Sequence, residues 1–223
     1  MSGDAPRVLT YTVSGSLEFL LAYGPNDGPQ VIVLQPLFEE MNRCRALVSA
    51  LCRGLARHGI SCWLPDLPGT GESPRALEGV RWAEWQEAVR SVDERIRTQT
   101  GRSPASIALR GGALLDGAIE SRRWRLTPTS GRSLLSDLRR SALMGGGDPS
   151  APAGYRLGPE LTQSLQAADC VDGSNTRTIR LGSDDRPADR QVEGSPVWRR
   201  PEPTADPALA DILITDIASW TMR

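Results

Sequence analysis

Alternating and unbroken apolar runs, separated by helical periodicities, predict a regular order of strands and helices. Residues 8–13 and 17–23 flank Ser14-Gly15-Ser16 and predict an antiparallel hairpin. Residues 30–34 form a largely apolar, β-branched run, which is typical of a central strand covered on both faces. After a loop from Gln35 to Asn42, leucines repeat every four residues and predict a helix that ends near Arg57.

The same reasoning extends to the end of the chain. A stripe of Trp and aliphatic residues predicts a second helix from residue 82 to about residue 96. Further strands are predicted at residues 60–64, 106–109, 124–126, 176–181 and 191–193, and further helices at residues 133–144, 159–168 and 207–220. This alternation predicts an α/β fold: a mostly parallel, doubly wound sheet with an N-terminal antiparallel hairpin. We expect one domain over residues 1–223, with a short lid-like or irregular insertion at about residues 145–170.

Composition narrows the function classes. The 26 basic residues, all Arg, and 27 acidic residues leave a net charge of −1, so nothing favours binding to nucleic acid or an anionic membrane. No run approaches the roughly 18 apolar residues of a membrane span, and no signal pattern begins the chain, so we expect a cytoplasmic protein. The four Cys and the single His58 lack ligand spacing, and we expect no metal and no cofactor.

The segment from Ser106 to Leu115 predicts a strand, a tight glycine turn and the start of a helix. This is the setting of a nucleophile elbow, in which G-x-S-x-G presents a catalytic Ser. Residues 108–112 read Ala-Leu-Arg-Gly-Gly, so Arg110 occupies the position of the nucleophile. A guanidinium stays protonated and cannot attack a carbonyl carbon. Residues 107–115 contain no Ser, Cys, Thr or Asp that could replace it.

The partners of a nucleophile are also incomplete. The chain has no His after His58, which precedes a strand and therefore lies at the amino ends of the sheet, away from the usual ligand edge. Asp184 and Asp185 follow the strand at 176–181, where the acid of a Ser-His-Asp triad is expected. Without a His to orient, the alternative is that both are ordinary turn residues.

Three segments together resemble a known family. They are residues 36–45 (Pro-Leu-Phe-Glu-Glu-Met-Asn-Arg-Cys-Arg), residues 64–73 (Leu-Pro-Asp-Leu-Pro-Gly-Thr-Gly-Glu-Ser) and the elbow. In this order they resemble α/β-hydrolase-fold proteins, and most of all the exosortase-A-system-associated hydrolases encoded with bacterial exopolysaccharide genes. The resemblance covers nearly the whole chain and implies esterase-like hydrolase activity. The chain departs from that family by lacking the catalytic Ser at the elbow and any His after His58.

A ligand site is predicted beside the elbow. The loop after the third strand leaves its carboxyl end, so its backbone N–H groups face the expected pocket. Arg110 and the start of the elbow helix favour a small anion there, such as a carboxylate, a phosphate or a uronate. The expected ligand-binding residues are Gln35, Pro36, Leu37, Phe38, Glu39, Arg110 and Gly111. The alternative is that Arg110 turns sideways and pairs with Glu39 or Glu40.

Three functions stay open, and whether the protein is an enzyme is undecided. The first is a non-catalytic binding or accessory protein in exopolysaccharide or envelope metabolism. The second is an active hydrolase or acyltransferase with a non-standard site, which uses Ser73 or an acidic residue to activate water. The third is a scaffold that binds a partner through Trp198 and the C-terminal helix. Ligand identity and oligomeric state are not determined by the sequence.

Overall fold

The computed structural model describes residues 5–144 and 151–223. Within them, the strands are β1 (Arg7–Val13), β2 (Ser16–Tyr23), β3 (Gln30–Leu34), β4 (Ser61–Pro65), β5 (Ala105–Leu109), β6 (Arg123–Leu126), β7 (Thr176–Leu181) and β8 (Arg190–Val192). The α-helices are α1 (Glu39–Arg57), α2 (Trp82–Thr100), α3 (Gly131–Met144), α4 (Pro159–Ala167) and α5 (Pro207–Thr221). Each strand and helix predicted from hydrophobic periodicity is present, with boundaries that shift by a few residues.

The strands form one mixed sheet in the order β1-β2-β4-β3-β5-β6-β7-β8. β1 pairs antiparallel with β2, and β2 pairs antiparallel with β4. The pairs from β4 through β3, β5, β6 and β7 to β8 are parallel. This confirms the predicted mostly parallel sheet and its N-terminal hairpin. The strand order reverses at β3, because the chain continues to β4 on one side and to β5 on the other. The carboxyl ends of β3 and β5 therefore form the usual ligand edge.

Helices cover both faces of the sheet, as expected of a doubly wound fold. α1 and α5 pack on one face, and α2, α3 and α4 pack on the other. Residues 107–109 of β5 show why successive positions of this strand are apolar. Ile107 and Leu109 join the core under α1 and α5, whereas Ala108 joins the core under α2 and α3. Successive strand side chains point to opposite faces, so a strand buried on both faces favours apolar residues at consecutive positions.

Two local predictions were wrong. α1 begins at Glu39, not after Asn42, because Phe38 ends the loop with a φ of 57° and two Glu residues follow in the favourable first turn.

The elbow is followed by two 3-10 turns, Arg110–Leu114 and Asp116–Ala118, in place of an α-helix. Residues 110–122 must return the chain to the start of parallel β6, close to the minimum of about a dozen residues for such a crossover. Adjacent glycines also disfavour a helix there.

The predicted insertion at about residues 145–170 falls partly on residues 145–150, which lie outside the described residues. Its remainder contains α4, whose Leu161 and Leu165 are buried against the α2 and α3 side of the sheet. Tyr155 packs edge-on against Phe38, with ring centroids 5.5 Å apart. A lid role for this segment stays a prediction. Among the described helices, none has the combined length and apolar character needed to cross a bilayer.

Candidate functional site

The turn after β5 has the geometry of an elbow. Arg110 has a φ of 53°, a left-handed conformation that costs a non-Gly residue roughly 1–2 kcal/mol. A Cβ on Gly112 would lie 2.3 Å from the carbonyl oxygen of Leu34 and 2.6 Å from that of Gln35. Only Gly therefore allows the turn to approach the end of β3 so closely. The strained residue at the top of this turn, where a catalytic Ser is expected, is Arg110.

The Arg110 side chain is buried and bound on three sides. Its Nε donates to both Glu40 carboxylate oxygens at 3.2 and 3.1 Å, and its Nη2 donates to Glu40 Oε1 at 2.9 Å. Its Nη1 donates to the backbone oxygen of Thr127 at 3.1 Å. The Trp198 ring covers the guanidinium at 4.9 Å from the ring centroid. Of the two arrangements considered from the sequence, sideways pairing with Glu40 is the one that the structure contains.

Trp198 was considered from the sequence as part of a partner-binding surface, but the structure buries it beside the elbow. It lies in the 3-10 turn Val197–Arg199 after β8, and its ring faces Arg110. It is only 4% exposed, so it does not form the partner surface considered for a scaffold. No sequence signal linked Trp198 to Arg110, because they lie on different loops far apart in the chain.

The candidate acids are Asp184 and Asp185, in the loop after β7. Asp184 accepts hydrogen bonds from Arg186 Nη2 at 2.7 Å and from Arg180 Nη1 at 2.9 Å. These two guanidiniums, Arg186 first, hold the pKa of Asp184 well below its usual range. Asp185 is exposed. Asp184 is therefore an arginine-bound carboxylate, which would stay ionised through the ordinary pH range.

A cavity of about 280 Å³ lies between the elbow and the β7–β8 loop, and we name it the elbow cavity. Its lining includes Arg110, Thr127, Ser183, Asp184, Arg186 and Trp198. Thr127 follows β6, has a φ of 43°, and is 3% exposed. Its Oγ1 is buried and has no hydrogen-bond partner within the described structure. The only feature of the sequence that pointed to Thr127 as a site residue was its position after the carboxyl end of a predicted strand.

A second, larger cavity of about 570 Å³ opens between the first turns of α1 and the loop after β4, and we name it the loop cavity. Polar groups in its lining include Gln35, Asn42, Arg45, Asp66 and Tyr155. Burial raises the pKa of Asp66, and the hydrogen bond donated by the Glu72 backbone N–H partly opposes this rise. The two cavities share no lining residue.

The structure divides the predicted ligand-binding residues between these places. Gln35 and Phe38 line the loop cavity, whereas Arg110 lines the elbow cavity. Pro36 and Leu37 are buried, and Glu39 pairs with Arg43 at 3.4 Å. These positions do not form one continuous anion site.

Gly111 faces apolar side chains. A Cβ built there would lie 3.1 Å from Leu134 Cδ2 and 3.4 Å from Leu37 Cδ1, so leucines fill the space above the turn. Ser73, considered as part of a non-standard site that activates water, has its Oγ occupied as an acceptor for the backbone N–H groups of Gly69 and Arg75. Its contacts are those of a residue that stabilises a turn.

The sequence matches no family model and no curated protein sequence. Its fold is similar to that of Est1E from Butyrivibrio proteoclasticus, with a TM-score of 0.62 and 11% identity over 96% of this chain and 97% of that one. It is also similar to a thioesterase domain from the curacin biosynthetic pathway, with a TM-score of 0.58 and 13% identity over 98% and 100% of the two chains. The bottromycin epimerase BotH gives a TM-score of 0.54 and 16% identity over 95% and 98%. At these identities the similarities show the fold alone, and this chain has the α/β-hydrolase fold.

Proposed function

We propose that this α/β-hydrolase-fold protein does not use Ser-His catalysis and instead binds a small anion in the elbow cavity. The observation that carries the proposal is the pairing of two strained residues, Arg110 and Thr127, at the edge where the catalytic groups of a hydrolase would lie. Left-handed non-Gly residues concentrate at functional sites, because the surrounding structure must hold them in place at a cost in stability. Here Glu40 and Trp198 hold Arg110.

The hydrogen-bonding groups of this cavity favour an anion of small size. Arg110 has five N–H groups, and its bonds to Glu40 and Thr127 leave two without a partner within the described structure. The buried Thr127 hydroxyl also has no partner, and burying a polar group without one is unfavourable. Ser183 and Arg199 add further donors to the lining. A carboxylate accepts bonds from several such donors at once.

The biological setting follows from the resemblance of residues 36–45 and 64–73 to the exosortase-associated hydrolases. On that basis we infer an accessory role in exopolysaccharide or envelope metabolism, with a uronate or another acidic sugar as the ligand. The bottromycin epimerase among the structural neighbours is consistent with a function other than hydrolysis, because one fold supports many chemistries.

Titration calorimetry with glucuronate, acetate and inorganic phosphate tests the anion site. Thr127→Val removes only the unpartnered hydroxyl and is expected to weaken binding about tenfold, as for one hydrogen bond to a charged group. Thr215→Val is the matched control, since Thr215 is exposed and its hydroxyl bonds within α5. If the wild type binds none of the three anions, or if both variants bind equally well, the proposed site is wrong.

A second candidate is hydrolysis by a non-standard site, and Asp66 is the observation that favours it. This half-buried carboxylate lines the loop cavity, burial raises its pKa, and a carboxylate in a cavity of this kind can act as a general base. Turnover of short p-nitrophenyl esters that is lost in Asp66→Asn would support this function over the binding role. A fluorophosphonate label that reacts with the wild type would reveal a nucleophile of the Ser type.

A further inference from the structure

The charged residues that line the loop cavity are Arg45, Asp66 and Glu72, and Arg45 forms an ion pair with neither acid within the described residues. Arg45 lies on α1, and Asp66 directly follows β4. Burial raises the pKa of Asp66, and Arg45 is close enough for its positive charge to oppose that rise, yet the two form no ion pair within the described part of the chain. Arg45 also has no hydrogen-bond partner there. The Asp66 carboxylate accepts one hydrogen bond, from the Glu72 backbone N–H at 3.1 Å.

An apolar wall completes the cavity. It is formed by side chains from β2, β4, the loop after β3, α1 and the segment before α4, namely Leu21, Tyr23, Phe38, Val48, Leu64 and Tyr155. Asn42 donates a hydrogen bond to the Tyr155 hydroxyl at 3.1 Å, which fixes the aromatic side of the cavity. The volume of about 570 Å³ lies within the range of small-molecule sites.

The backbone at this cavity is strained. Phe38 combines a φ of 57° with a ψ of −132°, and its buried ring contacts both Trp85 and Tyr155. Such a conformation is unfavourable for a residue with a Cβ and persists only where neighbouring contacts enforce it. It places the Phe38 ring in the cavity wall, and α1 begins at the next residue, Glu39, six residues before Arg45.

We propose that the loop cavity binds a small zwitterion with an apolar side chain, an α-amino acid with an aromatic or branched side chain. Arg45 binds the carboxylate, Asp66 binds the ammonium group, and the apolar wall contacts the side chain. A ligand with both charges satisfies both residues at once. A ligand with one charge leaves the other residue without a partner. This site is independent of the anion site proposed in the elbow cavity.

The test compares three ligands of one shape by titration calorimetry on the full chain. L-Phenylalanine carries both charges, 3-phenylpropionate lacks the ammonium group, and phenethylamine lacks the carboxylate. Phenylalanine is expected to bind about 10- to 100-fold more tightly than either analogue, as for one charge-assisted hydrogen-bonded contact. L-Leucine is expected to bind as well, because the wall recognises apolar character.

Two variants assign the charges. Arg45→Gln is expected to bind phenylalanine no better than phenethylamine, and Asp66→Asn no better than 3-phenylpropionate. Arg90→Gln, an exposed arginine of α2 that lines neither cavity, is the matched control and should bind as the wild type does. Thr127→Val should also leave phenylalanine binding unchanged, which separates this site from the elbow cavity.

The proposal has clear contrary outcomes. It is overturned if the wild type binds neither phenylalanine nor leucine, or if it binds the single-charge analogues as tightly as phenylalanine. Unchanged phenylalanine binding by Arg45→Gln would also overturn it, and this exposed position allows the variant to fold. Tighter binding of a neutral methyl glycoside than of either amino acid would identify a sugar site instead.

Discussion

The ion pair between Arg110 and Glu40 gives the sharpest test of how the elbow is stabilised. The two side chains are only 7% and 12% exposed, and their closest contact is 2.9 Å. We consider Arg110→Met, Glu40→Met and the double variant. Met has a length similar to both side chains and carries no charge. It also resembles Arg in its preference for φ, so the left-handed strain at position 110 changes little in the substitution.

The expected magnitudes follow from burial. Each single variant leaves one buried charge without its partner and should lose about 3 kcal/mol of unfolding free energy. In a domain of this size that corresponds to a fall in Tm of roughly 6–12 °C. The double variant removes both charges but leaves the Thr127 carbonyl and the Trp198 face without their cation, and should lose about 2–3 kcal/mol. The coupling energy is then about 3–4 kcal/mol.

Urea denaturation followed by tryptophan fluorescence measures these values, since the chain contains six Trp. Asp137→Asn provides the control. It breaks the exposed pair with Arg140, whose side chains are 67% and 46% exposed, and should change stability by no more than about 0.5 kcal/mol. Additive effects of the two Met substitutions would refute the reasoning, because they would show that Arg110 and Glu40 do not interact in solution. So would a single variant as stable as the Asp137 control.

Three further predictions concern chemistry, packing and pH. Arg110→Ser should show no turnover of p-nitrophenyl acetate, because restoring the Ser supplies no His base; measurable turnover would contradict this. Gly112→Ala should lose about 3 kcal/mol of unfolding free energy in thermal or urea melts, because its Cβ would lie 2.3 Å from a β3 carbonyl oxygen. Gly79→Ala is the control, since a Cβ at Gly79 meets no atom within 4 Å and the stability should hardly change. Burial raises the pKa of Asp216, but donated hydrogen bonds, from Arg177 first, outweigh it and hold that pKa well below its usual range. The stability that Asp216 contributes should therefore be complete above its unfolded pKa of about 3.9 and should fall as the pH drops below that value. In urea melts at a series of pH values, Asp216→Asn should reduce the dependence of the unfolding free energy on pH in this acidic range.

Much of the fold was predictable because its signals are local. Apolar runs and helical periodicity depend on residues a few positions apart, and they predicted the hairpin, the parallel strands and the five helices of the described chain. The glycines after β5 likewise predicted a tight turn. The missing elbow helix could not be predicted in this way, because its absence depends on where parallel β6 begins and on how few residues connect it to β5.

The site was less predictable. The sequence by itself determined that Arg110 replaces the nucleophile and that no His follows His58, since both depend only on residue identity and order. The tertiary structure decided what Arg110 does, because it brings Glu40, Thr127 and Trp198 together from three separate parts of the chain. A buried guanidinium needs an acid and further acceptors around it, and around Arg110 these come from long-range packing and not from neighbours in the chain.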